Sequence, residues 1–437
     1  MSRIRLPLLF CLGLALAGAP ALAQERAAGV APADDPDAVE NAPAKVPLAE
    51  IQRFVSVFNA IRQAYVDPVE DRALMQSAIE GLLLDLDPHS AYLERADAED
   101  FDEATRGAYD GIGVELVQLP DRTLKIVAPI DDTPAARAGL KPGDVIVAID
   151  GKPIGPDNDL GSEPLRGPSG SKVVLTIRRE GREAPFDVAL VRETIRITSV
   201  RSRLLEPGYG YVRISTFQAD TGADFARALD SLQERGRLRG LVIDLRSNPG
   251  GLLTTAVQVA DELLERGGIV STRGRVAVSD AEFRATPGDK LRGAPVVVLV
   301  DAGSASAAEV LAGALRDNGR ARIVGSRTFG KGSVQTLLPL DNGDSVKLTT
   351  ARYYTPNGIS IQARGIEPDV VLRADPKARN GGRPDVTEAM LPRHLRGDGE
   401  GAAAHVPGEV LEGEAPIAEA LAELKKLAAA ADAPRRG

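Results

Sequence analysis

Apolar positions change their period twice along the chain. Between Ala49 and Leu86 they recur at three- and four-residue steps, first Ile51, Phe54, Val55, Phe58, Ile61 and Tyr65, then Leu74, Ala78, Ile79, Leu82 and Leu86, which predicts two amphipathic helices with a stop at Asp87-Pro88. Helices this short cannot bury both apolar faces alone, so they are expected to pack on another domain or on a second copy of the chain. From about Gly107 the pattern becomes short strands broken by Gly and Pro: 111–116, 124–130, 144–151, 172–181 and 186–193, with one short helix at 133–140. From Gly208 strands alternate with helices: strand 211–216, helix 221–235, strand 241–245, helix 254–266, strand 296–300, a helix from about Ser306 to Asn318, and strand 323–325. Strand 346–354 and the turn 355–358 close this part. Such alternation predicts a layered α/β core. Past Pro376 the chain is charged and interrupted by Gly and Pro, and one last amphipathic helix is predicted at 416–430.

Length and composition add boundaries. The 437 residues exceed one ordinary core, so two or three domains are expected. An apolar content of 43% with 4% aromatics and no Trp predicts a tightly packed core of small aliphatic side chains. The net charge of −9 argues against a nucleic-acid or polybasic membrane partner. Residues 1–23 read as a secretory signal, with Arg3 and Arg5 before the apolar run 6–18 and Ala21-Leu22-Ala23 as the cleavage site. The run is short for a bilayer span. The bland alternative is an uncleaved anchor. Cleavage leaves 51 of the 53 basic residues against 62 acidic ones, a charge near −11. The only cysteine, Cys11, goes with the leader and follows Phe10, too large for a lipoprotein cleavage site. An exported chain without cysteine fits a bacterial periplasm or envelope. The expected partition is signal 1–23, flexible tether 24–47, helical region 48–105, β-rich module 106–195, core 196–375 joined by 48–105, and low-complexity tail 376–437.

Two loops carry candidate chemistry. Ser306 precedes the strong helix AAEVLAGALRDNG, so it lies where unpaired backbone N–H groups and the positive helix end point. It reads equally as a helix cap or as a nucleophile whose oxyanion the Ala307 N–H would stabilise. Gly250 and Gly251, directly after strand 241–245, would let a second N–H approach a ligand, or form an ordinary turn. Lys331, between Gly330 and Gly332, is a solvated loop lysine or, if burial lowers its pKa, a general base. Gln335 lies four positions on and reaches Lys331 only if the segment turns helically, since an extended strand separates the two by about 13 Å. His89, His394 and His405 are the only histidines, and a Ser-His hydrolase would have to use His89. No His, Cys and carboxylate cluster has metal-ligand spacing, and no metal or cofactor is expected. The loop Gly111, Ile112, Gly113 and Val114 can hold a peptide carboxylate while a strand edge pairs with the peptide, or it is a plain hairpin turn.

The stretches LDPHSAYL, GIGVEL, TPAARAGLKPGDVIVAIDG, LVIDLRSNPGGLL, GSASAAEVLAGALRDNGRARIVGSRTFGKGSVQ and YYTPNGISIQARGIEPD are similar, in order, to the carboxyl-terminal processing (tail-specific) peptidases with an embedded PDZ domain. The resemblance covers roughly residues 50–375 and leaves the tail uncovered. It implies a crotonase/ClpP-like α/β serine peptidase core, an inserted PDZ domain at 106–195 and an N-terminal helical segment. It implies Ser306 as nucleophile, Lys331 as base, Gln335 as the residue orienting the lysine, and Ala307 with Gly250 or Gly251 as oxyanion donors. It also implies that the PDZ domain reads a substrate's C-terminus and that Arg166, in LRGPSG, sits at a regulatory position. The expected partners are protein substrates with accessible C-termini, an activating adaptor or lipoprotein, and a second copy of the chain through the N-terminal helices. The competing functions are a catalytically silent PDZ-type peptide-binding adaptor and a Ser-His hydrolase. A separate peptide-binding module further predicts a resting site with Ser306 and Lys331 out of hydrogen-bond reach.

Overall fold

The structure is a computed structural model that describes residues 46–155, 161–234, 236–374, 386–398, 400 and 406–432. The expected signal 1–23, the tether up to residue 45 and His405 lie outside the described residues. The chain divides after Leu74 into two compact units. The first holds α1, Leu48–Ala64, which buries none of its residues, stacks Phe54 near Phe58 at 6.5 Å between ring centroids, and pairs Arg62 with Asp71 at 3.3 Å. Helix α2, Asp71–Leu84, likewise leaves Leu82 and Leu84 exposed.

In the second unit, α3 (Arg95–Arg106) ends at Gly107 in the left-handed conformation. A two-stranded stalk, Ala108–Gly111 against Glu193–Arg196, then carries the chain into and out of the β-rich module. The module is an antiparallel sheet of Val114–Gln118, Leu124–Pro129, Val145–Ile149, Lys172–Arg178 and Phe186–Val191, with Lys152–Pro153 on its side. The four-residue α4 (Pro134–Arg137) packs on it. It has its own apolar core, which includes Ile112, Ile126, Ile146, Val173, Leu175 and Ile177. Buried positions alternate along strands such as Leu124–Pro129 and Lys172–Arg178, and their apolar side chains face this core.

The remaining layers are two sheets. The larger runs Val200–Glu206, Tyr209–Ile214, Gly240–Asp244, Val296–Val300, Ala321–Gly325 and Val370–Val371, antiparallel at the first pair and parallel thereafter. Gly240–Asp244 and Val296–Val300 are buried throughout, because helices cover both faces. On one side α5 (Thr221–Gln233), α6 (Leu253–Asp261) and α7 (Ala307–Asp317) meet Leu241, Ile243, Val296 and Val298. On the other, α8 (Ala415–Asp432) sets Ile417, Ala420 and Leu424 against Val242, Val297 and Leu299. The second sheet, all antiparallel, centres on the long strand Ser345–Tyr354. It pairs with Ala91–Leu93, Gly268–Gly274 and Ser333–Pro339, and Ala281–Arg284 lies at the edge.

Two expectations need correction. Strand 346–354 does not close the parallel sheet but belongs to this separate antiparallel one. The core also does not end at 375. Residues 406–432 belong to it, because Arg246 donates to the carbonyls of Leu411 and Gly413 while Leu411 N–H donates to Asp301, and α8 then completes the second face of the sheet. The short apolar run of α8 looks like a tail helix until the exposed face of the sheet is known.

Candidate active site

Two loops leave the ends of neighbouring parallel strands and are stitched together. Residues 246–252 follow Gly240–Asp244, and residues 301–306 follow Val296–Val300. Ala305 N–H donates to Asn248 O at 2.9 Å, and Ser247 N–H to the buried Asp301 carboxylate at 2.7 Å. Ser304 Oγ donates to Leu245 O at 2.8 Å. Burial raises the Asp301 pKa. The loops are thus fixed by buried backbone and side-chain hydrogen bonds, and they bring Ser306 to the N-terminus of α7.

Ser306 is 8% exposed and has φ 54° and ψ −117°, a region a non-glycine residue occupies at a cost of about 1–3 kcal/mol and mostly where function demands it. Its N–H donates to Glu309 Oε2 at 2.8 Å. Its hydroxyl interacts with the Tyr353 phenol, whose pKa burial pushes up to about 12 against a lowering by this contact. The Ala307 N–H, at the first helical position, donates to no acceptor among the described residues. Gly250 (φ 104°) lies so close that a Cβ there would stand 2.8 Å from Ser306 Cβ and 2.9 Å from Ala305 O. The Gly250 N–H, however, donates to Asn248 Oδ1 at 2.8 Å. Of the two candidate glycines only Gly251 (φ 132°) keeps its N–H uncommitted among the described residues, its backbone lying beside Phe217. Ala307 and Gly251 therefore carry the uncommitted N–H groups of the two loops among the described residues.

Lys331 is half-buried in the loop before strand Ser333–Pro339. Burial, and after it the Lys347 ammonium, lower its pKa, while Glu388, Asp87 and Glu309 act in the opposite direction. Among the described residues no hydrogen bond joins Lys331 Nζ to Ser306 Oγ. Gln335 is in the extended strand, one residue past a bulge, and its Nε2 donates to Ser333 Oγ at 3.0 Å and Thr349 Oγ1 at 3.2 Å. The helical turn that would carry Gln335 to Lys331 is not formed, and the amide instead braces the strand pair that carries the lysine loop.

One residue joins the two loops, and the sequence reading gave it no part in the site. Glu309 is fully buried in the first turn of α7. Its Oε2 accepts from Ser306 N at 2.8 Å and Lys331 N at 2.9 Å. Its Oε1 accepts from Gly330 N at 2.8 Å and from the Thr328 hydroxyl. Burial raises its pKa to about 7 despite these four donors. Ser-x-x-Glu is the capping-box signature, so half of this role was visible locally. The other half, contacts to residues 19 to 22 positions away, was not.

The remaining candidates lie elsewhere. His89 Nε2 bonds Glu388 Oε2 at 2.8 Å, and the structure does not pair it with Ser306. His394 bonds Glu400 at 2.6 Å. In the β-rich module Gly111 ends a stalk strand and Val114 begins a sheet strand, so the loop is reduced to Ile112 and Gly113, whose N–H groups donate to no acceptor among the described residues. Arg166 pairs with Asp100 at 2.6 Å and Glu103 at 2.7 Å on α3, and lies 5.6 Å from the Tyr109 ring centroid. These contacts tie the module to α3 rather than to Ser306. Among the described residues no group of three or more His, Cys, Asp and Glu could hold a metal, and no helix is long and apolar enough to cross a membrane.

Comparison with known proteins places these elements among relatives. The sequence models of peptidase family S41, the PDZ domain and the N-terminal domain of the activating protease CtpB match residues 208–372, 111–190 and 10–97. The chain is 43% identical over 368 residues to the carboxy-terminal-processing protease of Bartonella bacilliformis, covering 82% of this chain and 84% of that one. It is 36% identical over 337 residues to the carboxy-terminal processing protease CtpB of Bacillus subtilis, covering 74% and 68%. Among solved structures, a photosystem II D1 C-terminal processing protease shares 33% identity over 80% of this chain and 100% of that chain, with a TM-score of 0.44.

Proposed function

Because the chain belongs to the carboxy-terminal processing proteases of peptidase family S41, we propose that it cleaves protein substrates near their C-termini through a Ser306–Lys331 dyad. The observation that carries the dyad is the Glu309 carboxylate, which binds the backbone N–H of both residues and so fixes the two loops to each other. The neutral form of Lys331, which burial favours, takes the Ser306 proton as Oγ attacks the scissile carbonyl. The new oxyanion lies against the Ala307 and Gly251 N–H groups, donors fixed before the charge appears. Collapse breaks the C–N bond, and the Lys331 ammonium returns the proton to the leaving amine. Water then attacks the ester, giving its proton to Lys331, and the acyl group leaves with Ser306 reprotonated. No metal or cofactor enters these steps.

Before the first step the Ser306 hydroxyl must turn from Tyr353 to Lys331, so the resting pair is not engaged. The peptide's C-terminus is read at the Ile112–Gly113 loop, and movement of the module about its two-stranded stalk, held by Arg166 on α3, couples occupancy to that turn. The N-terminal segment directs export to the periplasm or envelope. The apolar residues exposed on α1 and α2 support self-association, and an activating adaptor or lipoprotein remains a proposed partner. Mass spectrometry of envelope proteins from cells carrying the chain or its Ser306→Ala or Lys331→Ala form tests this reading. Uncut C-termini are expected in both variants. Wild-type termini in either variant would refute the dyad.

A further inference from the structure

The family model ends at residue 372, yet residues 386–398 are built into the site. Glu388 in this segment is fully buried. Its N–H donates to Phe329 O at 3.1 Å, two residues before Lys331. Its Oε2 bonds His89 Nε2 at 2.8 Å, and its Oε1 accepts from Gln362 Nε2 at 2.8 Å. Gln362, itself 1% exposed, accepts from Gly332 N at 2.9 Å and donates to Leu395 O at 2.9 Å. His89 is held in turn, its N–H donating to Asp87 Oδ1 at 2.8 Å, and the same oxygen accepts from Thr349 Oγ1 at 3.1 Å.

These bonds complete the frame around the lysine. Glu309 holds Gly330 N and Lys331 N from α7. Ala363 N–H holds Gly330 O, and Tyr353 N–H holds Gly332 O, both at 2.8 Å. The remaining amide, Gly332 N, is held by Gln362, and among the described residues Glu388 and Leu395 of the tail segment accept from the Gln362 NH2 and so fix which way its amide points. A glutamine whose amide flipped would set a donor against Gly332 N–H and leave it unpaired, which is costly in a buried site. The charged groups facing Lys331 are Lys347 from the long strand, Asp87 from the turn before His89, Glu309 from α7 and Glu388 from the tail segment. The titratable groups facing Glu388 are His89, Lys331 and, from its own segment, His394.

We propose that segment 386–398 is a wall of the active site and that Glu388 is a positioning residue for Lys331, acting through Gln362 on the lysine loop and by its charge on the amine. The LDPHS turn has its role in the same assembly: His89 holds Glu388 and is not a catalytic base. The charge matters because the same amine must first accept a proton and then donate it. Burial and Lys347 favour the neutral amine, and Glu388 with Asp87 and Glu309 keeps the ammonium accessible.

This rests on Lys331 as the base, so the test includes a readout independent of turnover. Hydrogen exchange of segment 328–335 is measured in the full-length chain carrying Ser306→Ala, with and without Glu388→Ala or Glu388→Gln. The kcat, KM and pH–rate profile are measured in the same variants with Ser306 intact. Glu388→Ala is expected to speed exchange of 328–335 by about tenfold and to lower kcat roughly ten- to a hundredfold with KM little changed. Glu388→Gln, which keeps the shape and hydrogen-bonds with its amide oxygen on Gln362 Nε2 and its NH2 donating to His89 Nε2, is expected to retain protection and most of kcat. Its acid limb should move to lower pH, because removing a negative charge favours the neutral amine. Unchanged exchange in Glu388→Ala, or an acid limb that does not move in Glu388→Gln, would overturn the proposal. If Glu388→Ala does not fold, the Glu388→Gln profile decides. Turnover that survives Lys331→Ala would remove the base assignment, while loss of protection in Glu388→Ala would still establish the wall.

Discussion

Replacing Glu309 by glutamine separates the charge of this residue from its shape. In the folded chain its pKa is raised from 4.5 to about 7 by burial. A group whose folded pKa exceeds its unfolded value binds more protons when folded, so its contribution is full below the unfolded value and is lost as pH rises through the folded one. At about 1.4 kcal/mol per pH unit the whole span is worth about 3 kcal/mol, of which about 2.5 kcal/mol falls between pH 5 and pH 8. Glu309→Gln cannot ionise and is free of this loss. It has a cost of its own, since an amide accepts at one atom only. With its NH2 turned toward the Thr328 hydroxyl, the Gly330 N–H loses its acceptor, a penalty of about 1–3 kcal/mol that is the same at both pH values. The assay is urea unfolding at pH 5 and pH 8 of the Ser306→Ala chain, which removes self-cleavage, with and without Glu309→Gln. The variant is expected to be the less stable at pH 5 and to gain about 2.5 kcal/mol on its parent by pH 8. Parallel pH dependences of the two chains would refute the burial argument, and with it the assignment of Glu309 as an ionised tie between the loops at alkaline pH. The active enzyme carrying Glu309→Gln should lose roughly tenfold or more in kcat, because Gly330 adjoins the base.

Gly250→Ala, strained at φ 104° and with its Cβ 2.8 Å from Ser306 Cβ and 2.9 Å from Ala305 O, should lower stability and, in the folded enzyme, displace the nucleophile and reduce kcat by roughly a hundredfold with little change in KM; chemical denaturation and kinetics on a C-terminal peptide check this. Arg246→Ala leaves the buried Asp244 without its closest partner and releases Leu411 and Gly413. A loss of about 3–5 kcal/mol is expected by chemical denaturation, and a loss under 1 kcal/mol would contradict the docking of the tail. Arg166→Ala removes half-exposed ion pairs to α3, so stability should change by less than about 1 kcal/mol while the dependence of cleavage on peptide C-terminus changes; unaltered peptide dependence would detach Arg166 from regulation.

The strands and helices of the parallel sheet were legible because their signals are local. An unbroken run such as Val296–Val300 can only be a strand buried on both faces, and the small-residue helix after Ser306 announces its own start. The second sheet was not legible for the opposite reason. Strands Gly268–Gly274 and Ser333–Pro339 become strands by pairing with Ser345–Tyr354, which lies far from the first of them in sequence, and only four of their fourteen residues are buried. The site divides in the same way. Ser306, Ala307 and the glycine pair lie at element ends that the sequence marks, whereas Gly250 could be told from Gly251 only once Asn248 was seen to take its N–H. Gln335 was assigned to orient Lys331 by resemblance, and the bonds its Nε2 donates to Ser333 and Thr349 came from strand pairing that local sequence does not show. Glu388 carried no signal at all. An acid in a charged, glycine-broken tail reads as a solvated residue until three distant elements close around it.

The central claim is that Ser306 is activated by Lys331 and by no histidine. A serine-directed phosphonylating probe such as a fluorophosphonate, applied with a C-terminal peptide and located by mass mapping of the intact chain, tests it directly. The adduct should form on Ser306, persist in His89→Ala and be absent from Lys331→Ala. Labelling that survives Lys331→Ala and disappears in His89→Ala would contradict the dyad.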